Sequence, residues 1–415
     1  MHHQPTDDLR VGDYDAYTDD ARLREIREAA AELDDIRVAH LNSTASGGGV
    51  AELLDSLVPL LNDVGVETDW LVMDAPESFF DVTKALHNGL QGEAGELTDS
   101  MRETYRSVTE SNAEAHPSGY DVVVLHDPQS LGMAPTLAER FPGTPLVWRC
   151  HIDLTDATPP YLEFVTSYLD PVDRAIFTLS EDAAGVDGVE TDVVHPAINP
   201  LTAKNCPLEE LSGEAAAAAD LEGYPFDADR PLVAQVSRFD SWKDPLGVVE
   251  AYRSVTDAVP EAQLALVGAM PDDDPEGMEV YREVEAATDD NPDVHLLTNL
   301  PDAGINAIQR RADVVLQKSL REGFALTVSE ALWKETPVVG TAVGGIPLQV
   351  EDGVNGFLDD PADVGATADS VLELLDDDEK RRRFGRRGRK RVRERFLTPR
   401  LLSDYLGVLS RATGR

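Results

Sequence analysis

Residues 321–330 read Arg-Glu-Gly-Phe-Ala-Leu-Thr-Val-Ser-Glu and set two carboxylates, Glu322 and Glu330, eight positions apart around a small-residue turn. The turn joins an apolar run at 313–317 to an amphipathic stretch at 326–334, the pattern of a strand, a tight turn and a helix start. Backbone N–H groups and the helix dipole make such a start a holder of anions. A carboxylate on either side accepts paired hydrogen bonds from vicinal hydroxyls. An anion between two polyols is the chemistry of a nucleotide sugar. On spacing alone, two solvated helix-end glutamates in a glutamate-rich chain explain the pattern equally well.

Upstream residues shift that balance. The apolar run 233–239 ends in Ser237-Arg238, and Lys243 follows five residues after Arg238, ahead of a helix expected from Pro245. An arginine fork and a lysine point charge on one strand-to-helix loop can neutralise a diphosphate. Only 7 of the 36 basic residues are lysine, so a lysine here stands apart from surface decoration. In the first half, Asn42-Ser-Thr-Ala-Ser leads into Gly47, Gly48 and Gly49, whose backbone can approach an anion closely. A plain flexible turn is the alternative. Neither GxGxxG nor GxxxxGK[ST] occurs, which excludes the dinucleotide and P-loop readings. His151 follows the apolar run 146–150, where a strand end can aim it at a sugar hydroxyl with Asp153 to orient it. Thr83, His87 and Gln91 share one i, i+4 helical stripe beside Lys84, Asn88 and two phenylalanines, a surface suited to a sugar.

These residues need strand ends to hold them, and the chain supplies ten apolar strand-like runs. They lie at 36–41, 68–73, 121–126, 146–150 and 175–179, then at 232–236, 263–267, 294–297, 314–317 and 337–339, with helical stretches between. Continuous Val/Leu-rich runs separated by helices predict two parallel sheets covered on both faces. The rhythm breaks at 196–218, so the expected domains are 1–205 and 206–397, with a last helix at 398–415 that crosses back to the first domain. Ligands of such sheets bind outside the carboxyl ends of the strands. The candidate residues fall there.

Composition bounds the setting. The chain carries 78 acidic against 36 basic residues, a formal charge of −42 over 415 residues. Self-repulsion of that size is tolerated in multimolar salt, where the screening length falls to about 3 Å or less; a salt-accumulating, haloarchaeal-type cytoplasm is the expectation. A 42% hydrophobic content in periodic segments argues against disorder outside the first twenty residues. No signal peptide or 18-residue apolar run is seen, so export and membrane spanning are not expected. Cys150 and Cys206, the two cysteines, fit inert packing roles. Asp272–Asp274 reads as solvated loop charge. Eleven basic residues crowd into 380–395, which admits an RNA- or membrane-binding reading; a helix shielding part of the acidic body is preferred, since no nucleic-acid module accompanies it.

The set Arg238, Lys243, Glu322-Gly-Phe-Ala-Leu, Glu330, Gly344-Gly-Ile-Pro347 and Glu351-Asp-Gly-Val-Asn-Gly356 resembles the carboxyl half of retaining glycosyltransferases of the GT-B fold. Within that class, Asn42-Ser-Thr with Gly47-Gly-Gly-Val-Ala-Glu52, the stretch 79–92 and Trp148-Arg-Cys-His-Ile-Asp153 resemble the trehalose glycosyltransferring synthases. The resemblance implies an α/β protein of two Rossmann-like, doubly wound parallel-sheet domains facing a cleft. It implies transfer of glucose from a nucleoside diphosphate glucose to glucose, reversibly, giving α,α-trehalose with retention. Arg238, Lys243, Glu322 and His151 would then act on the reacting groups. Gly47, Gly48, Gly49, Phe324, Ala325, Leu326, Thr327 and Glu330 would bind the donor, and Asn42, Thr83, His87, Gln91 and Asp153 the acceptor. The resemblance further implies protein cations in place of a bound metal, no cofactor, no nucleic-acid or integral-membrane partner, a cytoplasmic location and, as a further partner, a second copy of the chain. A trehalose phosphorylase or another retaining GT-B transferase is the rival reading.

Overall fold

The computed structural model describes residues 1–6, 8–46, 48–270, 275–288 and 291–415, so Asp272–Asp274, read above as solvated loop charge, lies outside the described residues. The chain divides into two compact units, Met1–Pro196 with Thr398–Arg415, and Ala197–Leu397.

In the first unit the strands are β1 (His2–His3), β2 (Arg37–Asn42), β3 (Glu67–Val72), β4 (Val122–His126), β5 (Leu146–Arg149), β6 (Arg174–Phe177) and β7 (Glu190–Val193). They form one sheet in the order β1-β3-β2-β4-β5-β6-β7, parallel throughout except for β1 against β3. β4 is buried along its whole length, as a central parallel strand between helical layers requires. Strand order reverses between β2 and β4, so their carboxyl ends form a topological switch point.

The second unit holds β8 (Leu232–Val236), β9 (Gln263–Gly268), β10 (Val294–Thr298), β11 (Val314–Gln317), β12 (Val338–Thr341) and β13 (Gly356–Asp359). The order is β10-β9-β8-β11-β12-β13, all parallel. This is the 3-2-1-4-5-6 order of a dinucleotide-type doubly wound sheet, and its switch point lies between β8 and β11. Its core is largely aliphatic, with Val233, Leu264, Leu266, Val314 and Leu316 fully or nearly buried beside Phe239, Tyr252 and Phe384.

Each of the ten expected strands appears within two residues of its predicted ends. β1, β7 and β13 went unseen because they are short edge strands of mixed polarity, which carry little apolar signal. Within the first twenty residues, where the sequence leaves disorder open, β1 pairs with β3 and Val11 and Tyr14 are buried.

The division between units falls after Pro196, not at 205. Ile198 donates to the Phe396 carbonyl at 2.9 Å, and Asn205 is gripped by Trp333 and Lys334, all within the second unit. The last helix, Thr398–Thr413, belongs to the first unit. There Arg400 donates to the His195 and Pro196 carbonyls and Arg411 pairs with Asp192.

Candidate active site

In the second unit the loops after β8 and β11, the two strands of the switch point, carry the predicted donor residues. Lys243 Nζ donates to Glu322 Oε2 at 2.7 Å, and both side chains are largely buried. The same oxygen accepts from Ser319 Oγ at 3.1 Å and Gln317 Nε2 at 3.2 Å. Gln317 is fixed in turn by Thr327 Oγ1 at 2.8 Å, so β11, the turn and the helix Leu326–Trp333 share one polar network. One Glu322 oxygen thus accepts three hydrogen bonds from the protein, which orients the carboxylate.

The turn itself is built by close approach. Ala325 takes a left-handed φ of 64° at the helix N-cap, exposing the N–H groups of the first helical turn. Gly344, at φ 51°, lies so near that a Cβ would overlap the Glu322 carbonyl oxygen, and one at Gly345 would sit 2.8 Å from Phe324 Cα. Gly345 N–H donates to the Gly323 carbonyl at 2.7 Å. The Gln349 amide donates to the Phe324 carbonyl and, at 3.2 Å, to that of Gly345. Phe324 is buried against Phe396, so of this residue only the backbone is available to a ligand.

Arg238 stands apart from this cluster. Its side chain is 74% exposed and pairs with Asp240 at 3.0 Å, a surface contact worth little and easily exchanged for an anion. Glu330 is buried and accepts from Gln309 at 3.4 Å; Gln309 also accepts from Lys334 at 2.7 Å. Burial pulls the Lys334 ammonium well below its ordinary range, while Glu330 opposes that shift.

Sequence reasoning missed Gln317, Lys318, Ser319 and Lys334. Lys318 is 2% exposed, bonded to Asp244 and to the Pro361 carbonyl, and Asp244 caps the helix Pro245–Ala258 directly after Lys243. Lysine scarcity was the usable signal. Applied to all seven lysines, it would have marked Lys318 and Lys334 together with Lys243.

In the first unit Gly48 has φ 83° and opens the helix Gly49–Asp63, with both glycines exposed; Gly47 lies outside the described residues. Asn42 differs from its expected acceptor role. It is buried, accepts from Ser43 N at 2.7 Å and donates to the Thr44 carbonyl at 3.0 Å, so it shapes the glycine loop. His151 follows β5, and its ring partner is His126 at 3.2 Å. Asp153, expected to orient it, instead accepts from Thr155 N at 2.8 Å, because a carboxylate at the start of a turn serves its own backbone.

Thr83 and His87 lie on the helix Glu77–Leu90, with Gln91 at its C-cap. Thr83 is buried and donates to the Phe80 carbonyl at 3.3 Å, which removes it from the expected stripe; His87 is half-buried and Gln91 exposed.

The family description "Trehalose synthase, N-terminal domain" matches residues 40–184, and "Glycosyl transferases group 1" matches 218–391. The trehalose synthase of Rubrobacter xylanophilus is 43% identical over 402 residues, covering 94% of each chain. That of Thermococcus litoralis is 40% identical, covering 97% of each. The chain belongs to the trehalose synthase family of glycosyltransferases. Its fold is GT-B, with two Rossmann-like parallel-sheet domains. A solved structure described as trehalose-6-phosphate from E. coli bound with UDP-2-fluoro glucose shares that fold at TM-score 0.72 and 15% identity, over 91% of this chain and 99% of that one.

As a trehalose synthase relative the chain is an enzyme. The matched segments contain Asn42, His151, Lys243, Glu322 and Glu330. No described helix is long and apolar enough to cross a membrane.

Proposed function

We propose that the enzyme moves glucose from a nucleoside diphosphate glucose to free glucose, forming α,α-trehalose reversibly and with retention at the anomeric carbon. The observation that carries this reading is the Lys243–Glu322 pair on the loops after β8 and β11, where a doubly wound sheet takes its ligand. A lysine held beside a carboxylate suits the junction of a diphosphate and a sugar ring. The related fold that binds UDP-2-fluoro glucose supports a nucleotide sugar as the donor.

In this reading the Glu322 carboxylate accepts from donor sugar hydroxyls, Glu330 from the ribose, and the Leu326 and Thr327 N–H groups face the phosphate or sugar. Phe324 and Ala325 contribute backbone to the same turn. In the first unit, Gly48 and Gly49 at the start of the helix Gly49–Asp63 offer N–H groups to an anion. A double-displacement mechanism needs a second carboxylate as nucleophile, and Glu322 is already held by Lys243, Ser319 and Gln317. Front-face displacement suits these residues better. The bond from the anomeric carbon to the diphosphate oxygen breaks as the acceptor oxygen bonds on the same face, and the acceptor proton passes to the leaving oxygen. Lys243 and Arg238 stabilise the charge that develops on the diphosphate, so protein cations serve in place of a metal and no cofactor takes part. His151 orients the donor sugar, and His87, with Gln91, takes glucose hydroxyls.

The strongly acidic chain suits a salt-accumulating cytoplasm. The relatives compared come from Rubrobacter and Thermococcus and do not support a haloarchaeal-type origin, so this setting rests on the charge alone.

Incubating the protein with glucose and, in turn, each nucleoside diphosphate glucose, glucose 1-phosphate, or maltose alone tests the reaction. A non-reducing disaccharide formed only with a nucleotide donor is expected. Trehalose from maltose alone, or from glucose 1-phosphate, would replace this reading with an isomerase or a phosphorylase.

A further inference from the structure

Three imidazoles run in a row across adjacent strands of the first unit. His40 on β2 places Nδ1 2.9 Å from His126 Nε2 at the end of β4, and His126 Nδ1 lies 3.2 Å from His151 Nε2 beyond β5. The middle ring uses both nitrogens. A neutral imidazole has one donor and one acceptor, so neutral rings satisfy both contacts only if every N–H points the same way along the row.

The far end decides which way. Among the described residues His40 Nε2 and the Tyr405 hydroxyl are both buried without a hydrogen-bond partner, and their rings are 5.9 Å apart, centre to centre. If the row runs from His151 toward His40, His40 Nε2 bears a proton. Tyr405 can then accept it, but the Tyr405 proton has no acceptor. If the row runs from His40 toward His151, His40 Nε2 is bare and is the acceptor that the neighbouring Tyr405 hydroxyl lacks. Every buried proton of the row then has an acceptor, and unpaired buried donors are the rarer and costlier defect.

We infer that His40 and His126, capped by Tyr405 of the C-terminal helix, are positioning residues that hold His151 as the Nδ1–H tautomer, so that it presents a hydrogen-bond donor to an oxygen of the bound sugar. The role rests on the proposed placement of His151 against the donor sugar; the tautomer order does not.

The surroundings keep the row neutral. Burial is the main cause that lowers all three rings, His40 to about 3 and His126 and His151 well below the ordinary range, and the Arg149 charge adds to it at His126 and His151. Arg149 is fully buried, with Nε and Nη1 unpartnered, and donates to Thr178 at 3.2 Å and the Val194 carbonyl at 3.0 Å. Asp127, in the left-handed region at φ 60°, accepts the His151 backbone N–H at 2.8 Å, and burial raises its carboxyl to about 6. Arg400 and Asp404 complete the charged groups around Tyr405. None of these carboxylates bonds an imidazole nitrogen of the row, so no close anion favours a histidine cation.

Histidine-selective 15N labelling and multiple-bond 1H–15N correlation spectra of the full chain, recorded from pH 5 to 9 and assigned with single His→Gln variants, test the order. All three rings are expected as Nδ1–H tautomers that do not titrate. An Nε2–H tautomer at His151, or a ring of the row that titrates in this range, overturns the inference. His126→Phe keeps a buried ring and removes both contacts. It should mix the His151 tautomers and lower kcat by on the order of 10- to 100-fold at unchanged nucleotide Kd, as loss of an orienting partner does elsewhere. An unchanged His151 tautomer in that variant also overturns the inference. If His151→Ala keeps normal turnover while the wild-type spectra show the Nδ1–H order, the placement against the sugar fails and the relay stands.

Discussion

Lys243 is the residue on which the proposed donor site turns. Its ammonium meets Glu322 at 2.7 Å, and Ser319 and Gln317 hold the same carboxylate oxygen. Removing the lysine therefore leaves Glu322 with partners and the fold in place, while the diphosphate loses a point charge. Lys243→Ala should lower turnover by on the order of 100-fold or more, the scale seen when one stabilising group is removed from a leaving group. Arg238→Ala should follow the same direction, since in the proposed reading its exposed guanidinium leaves Asp240 for the diphosphate. Near-normal turnover in both variants would end the diphosphate assignment. Lys243, Glu322 and the glycine turns were legible in the sequence because each follows an apolar run and neighbours the groups it serves. His126 and Lys318 were not. His126 ends an apolar run and reads as strand; its partners His40 and His151 are set by which strands are neighbours, which no local spacing reveals.

At the scale of elements, the basic helix Asp378–Arg395 supports the helix Leu326–Trp333 that frames the donor turn. Arg389 lies 4.6 Å over the Trp333 ring and pairs with Glu335; Arg391 pairs with Glu351, and Arg381 with Asp313. Its positive charge is thus partly engaged within its own unit, which favours shielding over a nucleic-acid or membrane role. Two glycines permit the approach. A Cβ at Gly385 would overlap the Glu335 carbonyl oxygen, and one at Gly388 would lie 2.7 Å from the Leu332 side chain. Alanine should gain about 1 kcal/mol of helix propensity at Gly385, but overpacking against backbone costs roughly 1–3 kcal/mol. The net expectation is a lower Tm for Gly385→Ala; an unchanged or higher Tm would show that the two helices part freely. The pattern of apolar residues disclosed both helices but not the glycine seam, because close packing between distant segments leaves no periodic trace.

The proposed acceptor and donor residues lie on different elements of different units. His87 and Gln91 end the helix Glu77–Leu90 of the first unit, whereas Lys243 and Glu322 belong to the second. His87→Ala or Gln91→Ala should raise the KM for glucose and leave nucleotide binding unchanged, since a polar site rejects a ligand by leaving groups unpaired. Equal loss of donor and acceptor binding would show that this helix does not select the acceptor. Thr83 is the lesson in legibility here. Helical spacing aligned it with His87, but a hydroxyl can bond its own helix, as Thr83 does to Phe80.

Over the whole molecule the ruling quantity is the charge of −42. Many of the ion pairs are exposed, such as Arg10 with Asp8 and Lys390 with Glu394, and exposed pairs contribute about 0–1 kcal/mol each. Salt weakens these attractions, but it also weakens repulsion among the carboxylates, which outnumber the cations by 78 to 36. Repulsive pairs therefore dominate the sum, and screening should favour the compact state. At about 1 M salt the screening length is ~3 Å, shorter than the spacing of most surface charges. Thermal melts from ~0.01 M KCl, where that length is about 30 Å, into the multimolar range should show Tm rising with salt and cooperativity fading at the dilute end. Substituting sulfate for chloride at equal ionic strength separates this from the strengthening of apolar burial by excluded salts, which depends on ion type. A Tm indifferent to KCl would mean that the acidic surface is compensated locally, and the salt-accumulating setting would lose its support.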